Sequence, residues 1–229
     1  MPETSMDVAT PIDPFADPRN RMVDSQIRPN KVTDPRILAA MRAIPRERFL
    51  PPALAPLAYA DEDVPLGHGR VLMEPMLTAR LIQLIGPVAG ERALVVAAGV
   101  GYGAAVLAAC GVRVVALEED EGLLTAARAS LAAVSPGVNL VTGRLAAGWP
   151  MEAPYDIVFI EGAVTAPPAA IVAQLRQHAG RLITVVRGPL GPGHAVRAEV
   201  TQAGLQLWTE FDCSTPPIPA LLPAPAFTF

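Results

Sequence analysis

The spacing of apolar and polar positions changes period along the chain, and each change marks an element. Residues 92–96 carry Ala93, Leu94, Val95 and Val96 without a polar interruption, the pattern of a strand covered on both faces. Gly99, Gly101 and Gly103 punctuate a tight turn, and residues 104–108, all apolar, begin a helix. A second strand is expected over 112–117, an Ala-rich helix over 123–134, and short strands over 138–141 and 155–160. Pro167 opens a further helix expected over 167–178, followed by Ala179-Gly180 and a fifth strand over 181–186. Residues 196–201 and 205–211, flanking Ala203-Gly204, read as a closing antiparallel pair. Strands alternating with helices predict an α/β chain built on a doubly wound parallel sheet.

Upstream the pattern is helical and interrupted by proline. Asp34 as cap, Pro35 at the first helical position, and Ile37, Leu38 and Met41 on one face predict a helix that Pro45 and Pro51-Pro52 keep from growing. Residues 46–50 are then a short turn or helix end. Residues 59–75 are polar and turn-rich, with Asp61-Glu62-Asp63, Pro65 and Gly67-His68-Gly69. They read as a long loop that either lids a ligand or only connects this appendage to the core. Helical periodicity resumes over 76–85. Residues 1–21, rich in Pro and Asp and without periodicity, are expected to be a disordered leader. The remainder is expected to be a single domain: a helical appendage and lid over 22–75, the α/β core over 76–214, and a Pro-rich tail over 215–229 lying extended across the surface.

Composition narrows the setting. Hydrophobic residues make up 51% of the 229, yet no apolar run reaches membrane-spanning length, so they belong to one sizeable interior core. Residues 1–20 lack the basic and apolar regions of a secretion signal, and two cysteines, Cys110 and Cys213, make neither a disulfide framework nor a metal cluster. A reducing cytoplasm is the expected location. A net charge of −4 without a basic run argues against nucleic acid as a partner, and His68, His178 and His194 have no metal-ligand spacing.

Candidate chemistry gathers at the glycine turn. In an open parallel sheet such a turn lies at the carboxyl edge of its strand, where free helical N–H groups face a nucleotide. The spacing alone does not separate a ligand cradle from a turn that uses glycine only to fold. Nineteen residues beyond Gly99 the second strand ends in Glu118-Glu119-Asp120, and a carboxylate there is placed to bond a ribose diol. Glu118 is the ribose candidate, its alternative being an acid at the start of the next helix, a role Glu119 or Asp120 could also fill.

Several segments, in order, resemble the protein-L-isoaspartate (D-aspartate) O-methyltransferases. They include Asp34-Pro35-Arg36-Ile37-Leu38, Ala58-Tyr59-Ala60-Asp61, Pro65-Leu66-Gly67-His68-Gly69, Pro75, the glycine turn with Tyr102, Glu118, Gly148-Trp149-Pro150 and Gly180-Arg181-Leu182. The resemblance implies a Rossmann-like sheet of the S-adenosyl-L-methionine (AdoMet) methyltransferase type with an N-terminal helical appendage. It also implies AdoMet as cofactor and a damaged protein or peptide carboxylate as acceptor. By position it assigns Gly69, Ala97, Gly99, Gly101, Tyr102, Glu118 and Arg144 to the cofactor, with Gly67 shaping the lid.

The departures from the family pattern fall where chemistry is expected. The family's hydroxyl before the first core helix is replaced by Met73, its glycine-rich strand end by Ala97-Ala98-Gly99, and its adenine-side Asp by Arg144. Ala97 adds a Cβ and Arg144 a positive charge where a cofactor wants close backbone and an acceptor. Glu161, at the expected end of the fourth strand, is a candidate catalytic acid; the alternatives are a helix cap or a surface residue, and Arg144 is a possible ion-pair partner. Methyl transfer to a carboxylate needs no strong base, so loss of the serine alone is survivable. The reading is an AdoMet-dependent carboxyl methyltransferase, against a non-catalytic binding or scaffolding protein that kept the fold.

Overall fold

The computed structural model describes residues 13–188 and 191–223. Residues 1–12 of the expected leader lie outside them, but the rest of it is helical. Helix α1 (Ala16–Met22) runs on through a π turn, Val23–Ile27, into a 3-10 turn at Arg28–Asn30. Composition pointed to disorder because it does not register what Arg19 does: its guanidinium donates to the Tyr59 hydroxyl at 2.9 Å and pairs with Glu47 and Asp13. Met22, Val23 and Ile27 are buried behind it.

Helix α2 (Pro35–Ala43) starts as expected, the Asp34 carboxylate accepting the Arg36 N–H at 2.9 Å. The expected loop over 59–75 is a two-stranded antiparallel hairpin, β1 (Val64–Gly67) and β2 (Arg70–Leu72), turning at His68-Gly69. Gly67, His68 and Gly69 all have positive φ, which is why the turn is glycine-flanked. Helix α3 (Pro75–Ile85) follows.

The core then alternates: β3 (Arg92–Val96), α4 (Tyr102–Ala109), β4 (Arg113–Glu118), α5 (Glu121–Val134), β5 (Asn139–Thr142), β6 (Ile157–Val164), α6 (Ala169–Val172) and β7 (Arg181–Arg187). An antiparallel pair, β8 (Gly193–Thr201) and β9 (Gly204–Cys213), closes a seven-stranded sheet of order β5-β4-β3-β6-β7-β8-β9. The strand order reverses at β3, which pairs in parallel with β4 on one side and β6 on the other. Alternate residues supply the two faces. Ala93, Val95, Ile157 and Phe159 join one core with α2 to α5, and Leu94, Val96, Val158 and Ile160 join a second.

That second face carries little helix. The helix expected over 167–178 is only the four residues of α6, because the chain after it leaves the helix to pair with residue 155. The Tyr155 N–H donates to the Gln174 carbonyl at 2.9 Å, and the Arg176 N–H to the Tyr155 carbonyl at 2.7 Å. The cover is completed by the tail, whose Ile218 is buried in this layer.

Candidate active site at the carboxyl edge of the sheet

Glu118 ends β4 beside the turn that follows β3, and its carboxylate is fully engaged. Oε2 accepts the Gly99 N–H at 2.8 Å; Oε1 accepts the N–H groups of Glu119 and Asp120 at 2.9 and 3.1 Å. The Arg70 guanidinium, reaching down from the hairpin, places Nη1 3.1 Å from both oxygens and donates from Nη2 to the Ala97 carbonyl at 2.6 Å. Both side chains are buried, Glu118 fully. At the start of α5 Asp120 is the cap, accepting the Leu123 N–H at 2.9 Å, while Glu119 accepts the Leu145 N–H at 2.8 Å. The other Asp120 oxygen pairs with His68 at the hairpin turn.

The glycine turn divides its duties. Ala97 sits at φ +59°, a left-handed conformation that costs a Cβ-bearing residue about 1–2 kcal/mol. Gly101, at φ +92°, faces the opposite layer, where an added Cβ would lie 2.9 Å from Leu131 of α5. Its absence of side chain therefore serves helix packing. Gly99 keeps its amide on Glu118, and a Cβ there would stand 3.8 Å from the Arg70 guanidinium.

Tyr102 and Met73 do not line the cavities beside Glu118 and Glu161. Tyr102 is fully buried, edge-on to Phe49 at 5.4 Å and under the guanidinium of the equally buried Arg46, 4.6 Å from its ring. Met73 is fully buried in the larger core, its carbonyl accepting from Arg46. Arg144 is exposed, starting a short 3-10 turn through its carbonyl.

Glu161 departs from expectation on both counts. It lies within β6, which runs on to Val164, at a bulge opposite β7. Its neighbouring charges are Arg70, Arg46 and Glu118 rather than Arg144. Burial raises its pKa to about 8 despite those arginines and the Gly103 amide. Gly103 is glycine for this side chain: an added Cβ would fall 2.7 Å from Glu161 Oε2. That oxygen, Arg46 Nη1 and the Tyr102 hydroxyl are buried with no hydrogen-bond partner among the described residues.

The tail closes the cleft from above. The Thr215 hydroxyl donates to Asp63 at 2.9 Å, the Ile218 N–H to the Ala163 carbonyl at 2.8 Å, and Pro219 packs on Gly69, where a Cβ would lie 2.9 Å from its ring. What remains in front of Glu118, bounded by His68, Arg70, Glu119, Ile218 and Pro219, is a cavity of about 140 Å³. Next to Glu161 about 10 Å³ remains.

A model of the protein-L-isoaspartate(D-aspartate) O-methyltransferases matches residues 17–199. The chain belongs to that family. It is 42% identical to the protein-L-isoaspartate O-methyltransferase of Methylorubrum extorquens (strain PA1) over 194 residues, 85% of this chain and 83% of that one. The protein of that name from Methanoregula boonei is 39% identical over 176 residues, 76% and 81% of the two chains. A solved protein-L-isoaspartate O-methyltransferase superposes with a TM-score of 0.75 at 23% identity, over 87% of this chain and 65% of that one. A putative Plasmodium falciparum member, solved with S-adenosyl-L-homocysteine, gives 0.73 at 18% over 87% and 97%. These structures establish the fold.

Within this family fold, Glu118 and Gly99 come together as their spacing predicts; Ala97, assigned by resemblance, meets them through Arg70, and Gly69 precedes that arginine in the hairpin. Tyr102, Met73 and Arg144 do not line the cavity in front of Glu118. The residue sequence reasoning missed is Arg70. Its signal was an arginine between Gly69 and Val71-Leu72, a charge in a segment whose neighbours face inward. Arg46 was missed as well, its partners being the distant carbonyls of Ala58 and Met73.

Proposed function

We propose that this chain is a protein carboxyl methyltransferase of the isoaspartyl type, with AdoMet as methyl donor and a protein or peptide carboxylate as acceptor. The observation that carries the reading is the position of Glu118 and the glycine turn at the β3–β4 edge, beside the strand-order reversal where doubly wound sheets bind nucleotides. Family membership and relatives bearing the enzyme's name support it. The arrangement described does not fit AdoMet. Every Glu118 lone pair faces a donor, a guanidinium stands between the turn and the hairpin, and 140 Å³ is well under the ~300 Å³ at which small-molecule sites begin. No chemical step is therefore derived through the cofactor.

We place the protein in the cytoplasm, where the unpaired Cys110 and Cys213 would stay reduced. No helix among the described residues is long and apolar enough to cross a membrane. A net charge of −4 favours protein over nucleic acid as partner.

A second reading, a non-catalytic protein on this fold, is favoured by Arg70 on Glu118 and by Met73 at the hydroxyl position. Methyl-labelled AdoMet with paired isoaspartyl and aspartyl peptides separates the two. The expected result is slow, base-labile methyl ester on the isoaspartyl peptide alone. Absence of ester at millimolar AdoMet, from both the unmodified chain and Arg70→Ala, would overturn the enzyme reading in favour of the second.

A further inference from the structure

We propose that Arg70 is an internal competitor for the cofactor: its guanidinium occupies the carboxylate a ribose diol would bond and a backbone carbonyl of the adjacent turn, and the tail over residues 215–221 locks it there. This rests on the methyltransferase reading and adds a gate to it. A ribose diol reaches a doubly wound sheet through a carboxylate at the second strand end, and the Glu118 oxygens at that point are bridged by Nη1 at 3.1 Å each. The backbone approach at the turn runs past the Ala97 carbonyl, and that oxygen is taken by Nη2 at 2.6 Å. One planar, permanently charged fork thus satisfies both, a geometry lysine or glutamine cannot reproduce.

The lock has three parts. Gly69, the residue before Arg70, lies under Pro219, so the hairpin cannot lift without moving the tail. Ile218 is buried and is bonded to Ala163 of β6 by its amide. Thr215 is buried and tied to Asp63, just before β1. Hairpin and tail are each held by the other, so release is expected to involve both. The charge balance favours the closed form, since withdrawing Arg70 leaves Glu118 with only its backbone donors and brings Glu161 one cation fewer.

The test is titration calorimetry with S-adenosyl-L-homocysteine on the full chain, as unmodified protein, Arg70→Ala and Arg70→Gln, with amide exchange at Ile218 read on each. The expected result is at least tenfold tighter binding by both variants than by the unmodified chain, with faster Ile218 exchange. Arg70→Gln keeps most of the side-chain volume and carries the test if Arg70→Ala does not fold. Equal affinity in all three would overturn the competition and leave the methyltransferase reading standing. Faster Ile218 exchange with no binding by any of them would overturn the methyltransferase reading, and the competition with it.

Discussion

At the scale of single residues the molecule stores its polarity in unusual places. Glu161 is a carboxyl inside a strand, with burial outweighing Arg70 and Arg46 and raising its pKa to about 8 from 4.5. The sign follows from linkage. The folded state keeps this proton longer than the unfolded chain, so the contribution is complete below pH 4.5 and is lost as pH rises toward 8. Glu161→Gln removes the titration. The variant should gain on the unmodified protein steadily between those pH values, by on the order of 5 kcal/mol, with the gap constant above. Denaturant melts at half-unit pH steps measure it; parallel pH profiles for the two proteins would contradict it. Part of this residue-scale picture was legible in the sequence. Glu118 and Gly99 were found because a strand, a turn and a carboxylate at fixed separation are a local pattern, whereas Ala97 came from the family resemblance. Arg70 and Arg46 were not, because their partners lie 48 and 27 positions away. No local periodicity encodes such a contact.

Among elements, the sheet and its flanking helices followed the pattern closely, since period-2 apolar runs and capped helices are written in consecutive residues. The failures have separate causes. Helix α1 exists through Arg19's contact with Tyr59, forty positions on. Most of the helix expected over 167–178 gave way to pairing with residue 155, a tertiary override of propensity. The hairpin of β1 and β2 was hidden by the glycines that make its turn. Helix α5, by contrast, starts where a local signal says, with Asp120 capping Leu123 at 2.9 Å. Asp120→Ala should cost about 1 kcal/mol and lower the melting temperature by roughly 2–4 °C. An unchanged melt would show that Glu121 already supports that terminus without the cap.

For the whole molecule, one sheet face is covered by helices and the other partly by the tail, which therefore has two tasks. It buries Ile218 against the second core and roofs the cleft above Glu118. Stability and closure are coupled by this arrangement: the ligand-free protein is held together partly by the contacts that exclude a ligand. The Arg70–Glu118 pair illustrates the coupling, since removing one partner of such a buried pair typically costs about 3–5 kcal/mol. A ligand must offset that loss before it gains anything. The thermal shift of the unmodified chain with 1 mM S-adenosyl-L-homocysteine measures this balance directly. If the closed form prevails, the dissociation constant is at or above about 1 mM, the stabilisation is under ~0.5 kcal/mol, and the melt moves by no more than about 2 °C. A rise of roughly 5–10 °C, the ~2.7 kcal/mol expected when ligand is a hundredfold above its dissociation constant, would contradict the account and show that Arg70 yields freely.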